Sequence, residues 1–247
     1  MATAAAPPPI VTAPRFVPLY LCFAAGYLLS YLYRTVNAVI SPELSASLGV
    51  SASSLGLLTS AYFVAFAAMQ LPAGMLLDRF GPRRVEPVLL AIAGCGALAF
   101  AASQHLSGLV IARALIGMGV AVCLMAPLKG IASWYPAERQ ASLSGWIMVA
   151  GGIGALASTA PLAAALSFVS WRAIFVMLSA ATFAAALAIF LTVPDTPTQA
   201  RPGSLAEQWA GVRSVFRNAR FWCGSHRSTR PAPAPSWRSR VSGPCRG

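Results

Sequence analysis

Long apolar segments alternate with short polar segments along most of the chain. Six apolar segments lie at roughly 16–40, 54–77, 85–103, 109–134, 142–166 and 171–193. Each is close to the ~20 residues that a helix needs to cross a bilayer core of ~30 Å. The sequence has no alternating ten-residue pattern of the kind that membrane barrel strands require. Because backbone groups in lipid must be hydrogen-bonded within the segment, the pattern predicts an all-α, polytopic membrane protein with six transmembrane helices.

The composition agrees with a membrane protein. Hydrophobic residues make up 57% of the chain and charged residues only 10%, whereas a soluble domain has about 25% charged residues. The net charge of +12 comes mostly from loops and the tail, which indicates membrane topology and not a nucleic-acid partner. The five cysteines show neither metal-ligand spacing nor a disulfide framework. We therefore expect no cofactor and no metal ion.

The distribution of basic residues predicts the orientation. Basic residues occupy the second and fourth loops and the segment after the last span: Arg79, Arg83, Arg84, Lys129, Arg139, Arg201, Arg213, Arg217 and Arg220. The loops at 41–53 and 104–108 have none, and 167–172 has only Arg172. By the positive-inside rule, both termini of this multi-pass protein are expected in the cytoplasm, with the spans in the cell inner membrane.

The segments outside the transmembrane domain, 16–193, have compositions of their own. Residues 1–15 are rich in Ala and Pro and are expected to be a disordered cytoplasmic N-terminus. Residues 194–222 are interpreted as a cytoplasmic linker with an amphipathic helix at 204–220, either on the membrane surface or in solvent. Residues 223–247 form a basic, disordered tail without Leu, Ile or acidic residues. Contact with anionic lipid would explain this tail, but translation in a wrong reading frame is the favoured explanation.

A polar motif follows the second span, and each of its residue types suits a tight interhelical turn. Its residues are Gly74, Asp78, Arg79, Gly81, Arg83 and Arg84. Gly74 would permit close helix packing, Asp78 would pair with an arginine or face a helix N-terminus, and Gly81 would allow the turn. From the residues alone, a loop that only sets topology is the alternative interpretation.

This motif resembles the loop 2–3 signature of the major facilitator superfamily. The segment 113–119 in the fourth span and the segment 171–175 at the start of the sixth are similar to further elements of that family. The likeness covers about residues 16–222. It implies twelve helices in two six-helix halves, each made of two inverted three-helix repeats, with a substrate cavity between the halves and transport by alternating access. This chain would be the N-terminal half.

The first span carries the strongest candidate binding site. Residues 26–37 resemble the first helix of the organophosphate–phosphate antiporter branch, in which an arginine at the position of Arg34 binds substrate phosphate. Independently, Tyr27, Tyr31 and Arg34 share one stripe of a helix. An ionisable residue inside a span is costly and therefore suggests function, and arginine binds oxyanions with parallel hydrogen bonds. The alternative is that Arg34 snorkels to the membrane surface.

Three further polar residues are predicted to contact substrate with this stripe, namely Asn37, Gln70 and Arg113. Each has a structural alternative, because Asn37 and Gln70 would also bond between helices and the family more often links Arg113 to coupling or structure. Lys129 is interpreted as a snorkelling lysine.

The fifth span does not indicate antiport, although its glycines suit close packing and Pro161 is expected to kink it. Its Gly–Pro spacing differs from the family's antiporter signature. Proton coupling usually needs a carboxylate or histidine inside the membrane. Glu43 and Asp78 sit at helix ends and His105 lies in a loop, so no proton carrier is predicted.

The sequence therefore predicts a secondary transporter of a small solute, with a preference for an organic or inorganic anion. The alternative is a non-transporting six-helix remnant or scaffold, because the second half is missing; a homodimer would rebuild the cavity. An enzyme is not expected, since the spans hold no serine–histidine, metal-ligand or paired-carboxylate arrangement. The lipid bilayer and the solute are the expected partners. The abrupt change after Trp222 indicates a truncated or frameshifted reading frame.

Overall fold

The computed structural model describes residues 16–195, and all regular structure in that range is α-helical. The helices are α1 (Phe16–Leu48), α2 (Ala52–Phe80), α3 (Pro82–Ala102), α4 (Leu106–Val120), α5 (Met125–Trp134), α6 (Ala137–Ala157), α7 (Ala160–Leu166) and α8 (Trp171–Thr192). The predictions for the N-terminal segment 1–15, the amphipathic helix 204–220 and the tail 223–247 lie outside the described residues.

These eight helices form six spans. Helices α4 and α5 together make the fourth span, and α6 and α7 make the fifth. Five of the six segments are long and apolar enough to cross a membrane: Ala52–Phe80, Pro82–Ala102, Leu106–Trp134, Ala137–Leu166 and Trp171–Thr192. Helix α1 has ample length at 33 residues, but its tyrosines and Arg34 make it more polar. The all-α, six-span architecture predicted from the sequence is confirmed.

The packing of the spans has the symmetry of an inverted repeat. The second span, α2, packs on α4, and its counterpart in the second triplet, α6, packs on α1. The third and sixth spans, α3 and α8, pack on each other. If the first three spans are exchanged with the last three, the α2–α4 contact becomes the α6–α1 contact and the α3–α8 contact is unchanged. This equivalence is expected for two inverted three-helix repeats.

Two spans are interrupted, and a proline lies just after each interruption. A proline in a helix lacks an N–H and clashes with the carbonyl four residues earlier. Pro127 and Pro161 would clash in this way with residues 123 and 157, and the helices stop at Val120 and Ala157. The kink predicted at Pro161 is thus present as a break between α6 and α7. The break between α4 and α5 was not predicted.

The turn between α2 and α3 depends on a glycine. Gly81 has φ of 75°, donates its N–H to the carbonyl of Leu77, and is followed by Pro82 at the first position of α3. A positive φ costs other residues more than glycine, and proline suits the first helical turn. The chain therefore reverses direction within one residue, as the sequence motif predicted.

Residues in the bundle interior are tightly packed, whereas α2 and α6 expose large apolar side chains. Val64, Leu71, Ile153 and Leu156 are exposed, as expected where lipid replaces water as the solvent. Helix α4 approaches α2 so closely that a Cβ on Gly117 would overlap the carbonyl oxygen of Tyr62. This contact holds the fourth span against the second.

Candidate functional site

A cavity of about 300 Å³ opens between α1, α2 and the interrupted fourth span. Its lining residues are Tyr27, Ser30, Tyr31, Arg34, Phe66, Gln70, Val120, Ala121, Leu124 and Met125. The last four surround the turn between α4 and α5. Irregular backbone at membrane depth is tolerated where it lines a cavity, so the break at Pro127 and the cavity occur together.

Arg34 supplies the positive charge of the cavity. Its guanidinium carbon lies 5.0 Å from the ring centre of Tyr31 and 5.2 Å from that of Phe66. Both distances are within the range of cation–π attraction. Its Nε is buried without a hydrogen-bond partner, and no acidic residue of the described chain forms an ion pair with it. Arg34 is therefore positioned by aromatic rings and lies beside the Tyr62 hydroxyl, with which it interacts, and its buried Nε is available to an anion.

The two tyrosines of the predicted stripe lie beside this arginine. The rings of Tyr27 and Tyr31 meet edge to face at 5.2 Å between centres, and their hydroxyl oxygens are 3.5 Å apart. The hydroxyl of Tyr27 is also 3.9 Å from the sulfur of Met148 on α6. These contacts leave hydroxyl groups on the cavity wall, where they could donate to a bound solute.

Gln70 closes the cavity on the side of the helix break. Its Nε2 donates to the carbonyl oxygen of Ala121 at 3.4 Å. The turn frees backbone carbonyls from helical bonding, and Gln70 provides a donor for one of them. Gln70 therefore both lines the cavity and connects α2 to the fourth span, so the two interpretations from the sequence are compatible.

Asn37 and Arg113, also predicted to bind substrate, do not line this cavity. Arg113 is 1% exposed and donates to the carbonyl of Tyr33 at 3.0 Å and to Oδ1 of Asn37 at 2.8 Å. Its guanidinium carbon lies 5.0 Å and 5.6 Å from the ring centres of Phe100 and Phe175. Asn37 in turn donates to Thr59 at 2.9 Å. The geometry favours a structural role in joining α1 to α4.

The loop 2–3 motif makes contacts across one end of the bundle. Asp78 forms an ion pair with Lys129 of α5, so Lys129 has a specific partner and does not simply snorkel. Arg83 pairs with Asp195 at 2.9 Å and donates to the carbonyl of Phe190 at 3.3 Å. Arg84 lies 3.9 Å from the same carboxylate. The motif thus connects α2 to α5 and α3 to the end of α8.

Two motif residues behave differently from the rest. Arg79 stacks over the ring of Phe80 at 5.3 Å. Gly74 was expected to permit a close helix approach, but a Cβ placed there would meet no atom of the described chain within 4 Å. The expectation for Gly74 is therefore not met by any described helix.

Sequence reasoning missed several functional candidates. Ser30 and the turn residues of the fourth span line the cavity, but nothing in an apolar sequence marks which face they occupy. Phe66 lies four residues before Gln70, on the same helical stripe, but it has no polar group that would mark it. Glu86 was missed for a different reason: it was placed at the start of a span, yet it is completely buried. The sequence did contain a signal for a buried acid, because Glu86 is the fifth residue of α3.

Comparison with known proteins identifies the family. The family model described as Major Facilitator Superfamily matches residues 23–232. The chain belongs to the major facilitator superfamily. Members of this family, including the relatives below, are transporters that span membranes with apolar helices. Family membership therefore agrees with the expectation from the sequence that the chain is not an enzyme.

Two curated relatives illustrate the likeness. The chain is 32% identical to the "Hexuronate transporter" of Escherichia coli (strain K12) over 166 residues, which is 66% of this chain and 38% of the relative. It is 30% identical to the "Galacturonate transporter" of Dickeya chrysanthemi over 216 residues, which is 80% of this chain and 62% of the relative. The chain therefore spans about half the length of the curated relatives it matches.

A solved structure shows the same fold. A bacterial homologue of the human lysosomal transporter Spinster, in an inward-facing and unoccupied conformation, aligns with a TM-score of 0.63 at 20% identity, over 83% of this chain and 50% of that one. The six spans thus correspond to half of a major-facilitator fold.

Proposed function

We propose that this chain forms one wall of a secondary transporter for small organic anions, specifically monoanionic sugar acids of the hexuronate type. The observation that carries the proposal is the guanidinium of Arg34 on a cavity with two tyrosines, with an unpaired Nε and no ion pair to an acidic residue of the described chain. Transport would proceed by alternating access, in which the two repeats or halves move about a central site.

The size and lining of the cavity suit a sugar acid. Its volume of about 300 Å³ is at the lower end of the ~300–1,000 Å³ range of small-ligand sites. Arg34 would bind the carboxylate through two parallel hydrogen bonds. The hydroxyls of Tyr27, Tyr31 and Ser30 would form hydrogen bonds with the sugar hydroxyls. The Phe66 ring would contact the apolar face of the sugar.

The charge of the cavity favours a carboxylate over a phosphate ester. Among the residues that the structure describes, Arg34 is the one cation that lines it, and a single cation balances one carboxylate. A phosphate monoester carries about −1.5 to −2 at neutral pH and would leave charge uncompensated at membrane depth. The resemblance of α1 to organophosphate antiporters therefore extends to the position of the arginine and not to the substrate. The names of the hexuronate and galacturonate relatives support the same choice.

The orientation proposed from the sequence places the α2–α3 turn in the cytoplasm of a bacterial cell, with the spans in the inner membrane. Arg79, Arg83, Arg84 and Arg139 all lie at this end of the bundle, which agrees with the positive-inside rule.

The test is binding of radiolabelled galacturonate to the purified chain in lipid nanodiscs, with unlabelled sugars as competitors. We expect glucuronate to compete and the neutral sugar galactose not to compete. Arg34→Gln should weaken binding at least tenfold, because a hydrogen-bonded charge pair contributes about 1.5–3 kcal/mol. Arg34→Lys should weaken binding less, since it keeps the charge but loses the planar fork.

Arg139→Gln is the matched control, because Arg139 is an exposed arginine outside the cavity. Equal competition by galactose, or equal binding by Arg34→Gln and Arg139→Gln, would remove the anion-site proposal.

The half-length match makes a second candidate function concrete: a six-helix membrane protein that binds but does not transport. Only one wall of a central cavity is present in six spans, so transport would need a second copy or a second half. Uptake by proteoliposomes together with crosslinked dimers would favour a homodimeric transporter. Monomers that bind galacturonate without uptake would favour the non-transporting form.

A further inference from the structure

Glu86 is a carboxylic acid enclosed in the helix bundle. It lies in α3 and is 0% exposed. Neither Oε1 nor Oε2 has a hydrogen-bond partner among the described residues, and no ion pair of the described chain includes it. Acidic residues are almost never fully buried unless they are paired, so this side chain needs a functional explanation.

The surroundings of the carboxyl group are apolar and come from three helices. Its Oε1 lies 3.0 Å from the position that a Cβ would take on Gly26 of α1. The same position on Gly26 is 3.6 Å from Leu90 of α3 and 3.7 Å from Ile189 of α8. The missing side chain at Gly26 therefore provides the space in which the carboxyl group sits.

No basic group of the described residues forms an ion pair with Glu86. Cys123, on the turn between α4 and α5, interacts with it electrostatically, but a thiol provides no positive charge. Arg83 and Arg84, at the start of α3, contact Asp195. Arg113 of α4 is held by Tyr33 and Asn37. Since an unpaired buried carboxylate is very costly, Glu86 holds a proton in this conformation.

The position of Glu86 connects it to the cavity through α1. Gly26, which contacts the carboxyl group, precedes Tyr27, which lines the cavity. Cys123 likewise lies within the turn that forms the opposite cavity wall. A shift of α1 or of this turn on anion binding would change the surroundings of the carboxyl group and its access to water.

We propose that Glu86 is a proton-binding site linked to anion binding, so that one proton moves with one monoanion. This inference rests on the proposed anion transport. An O–H bond forms on the Glu86 carboxylate with a proton from water on one side of the membrane. The same bond breaks when the site faces the other side, and the proton returns to water there. The pair is neutral, so the inside-negative membrane potential does not oppose anion entry.

The first test measures galacturonate affinity from mildly acidic to mildly alkaline pH. Because linkage between two ligands is reciprocal, the wild-type dissociation constant should rise with pH, by up to about tenfold per pH unit for one linked proton. Glu86→Gln mimics the protonated form and should bind at all pH values as tightly as the wild type does at acidic pH. Glu138→Gln, on an exposed carboxylate, should keep the wild-type dependence.

A flat wild-type profile, or an unchanged slope in Glu86→Gln, would overturn the linkage. Glu86→Met is measured alongside, because it removes the carboxyl group without introducing a buried amide; it too should give a flat profile.

The second test does not depend on an anion. Infrared difference spectra between acidic and alkaline pH should contain the carbonyl stretch of a protonated carboxylic acid, lost in Glu86→Gln and kept in Glu138→Gln. Presence of this band without galacturonate binding would retain the proton site and overturn the sugar-acid function together with the linkage. Its absence in the wild type would overturn the proton site itself, even if galacturonate binds.

Discussion

Arg34 and Arg113 both lie well inside their spans, and their environments differ in one decisive respect. Arg113 donates to a backbone carbonyl and to the Asn37 side chain inside the bundle. Arg34 is held by aromatic faces on a cavity wall. The Nε of each is buried without a partner, but Arg34 lines the cavity, whereas Arg113 is enclosed in the bundle and bonded to α1. This contrast is the reason for proposing a binding role for Arg34 and a structural role for Arg113.

The role of Arg113 leads to a prediction at its partner. Asn37→Leu removes the acceptor that lies 2.8 Å from Arg113 Nη2 and leaves a buried cation with one fewer bond. We expect a loss of about 1.5–3 kcal/mol in the free energy of unfolding, as for hydrogen bonds to charged groups. Thermal unfolding in detergent would measure it as a lower Tm.

Thr59→Val is the matched control for Asn37→Leu. It removes the other partner of Asn37, at 2.9 Å, without touching Arg113, and should therefore lower Tm less. Equal losses of Tm in the two variants would show that the hydrogen bond to Arg113 contributes no more to stability than the one to Thr59.

The positions of the site residues were predictable from the sequence only where helical spacing decided them. Tyr27, Tyr31 and Arg34 recur at helical spacing on one stripe, so a single correct helix assignment placed all three on the same cavity. Asn37 lies three residues beyond Arg34, yet it faces the interior, because its orientation depends on where α4 packs. No local pattern reports that packing. Glu86 was overlooked because it lies at the predicted start of the third span, where a charged side chain is expected to reach water.

At the scale of helices, the fourth and fifth spans differ from the continuous helices expected. Apolar length located both spans well, since crossing a bilayer fixes the number of residues. The interruptions were harder to foresee, because prolines also occur inside α1, α2 and α3 without breaking them. Whether a helix bends or breaks at proline depends on which neighbours satisfy the freed carbonyls. Gln70 does so for Ala121.

Close helix packing provides a second prediction. Gly117→Ala would place a Cβ against the carbonyl oxygen of Tyr62, so α4 and α2 must move apart. Overpacking of this kind costs about 1–3 kcal/mol, and the Tm should fall accordingly. Gly152→Ala makes the same substitution where no atom of the described chain lies within 4 Å of the new Cβ. If Gly152→Ala were as destabilising as Gly117→Ala, the packing explanation would fail.

At the scale of the whole molecule, the sequence motifs predicted the six-span half-fold. The pairing of spans follows from an inverted repeat, which the family resemblance implied and hydropathy alone did not. The location of the cavity was not predictable in the same way. It depends on the unwound turn between α4 and α5 meeting α1 across the bundle, which is a tertiary property.

The orientation proposed for the whole molecule can be tested with single cysteines. In a chain with Cys22, Cys95, Cys123, Cys223 and Cys245 replaced by serine, Ser53→Cys and Glu138→Cys place one thiol at each end of the bundle. Both positions are exposed. A membrane-impermeant maleimide should label Ser53→Cys in spheroplasts and label Glu138→Cys only after permeabilisation. The reverse pattern would invert the topology.

The three ion pairs of the described chain all lie at one end of the bundle. Asp78–Lys129, Arg83–Asp195 and Arg84–Asp195 connect neighbouring spans there, while no ion pair joins the described residues at the opposite end. These side chains are partly solvent-accessible, so dissolved ions screen their attraction. Ionic strength should therefore affect the two ends of the bundle differently. Raising it should loosen the contacts at the α2–α3 end and leave the other end largely unaffected. If gating involves separation at that end, salt concentration would shift the balance between closed and open forms without any change in the cavity.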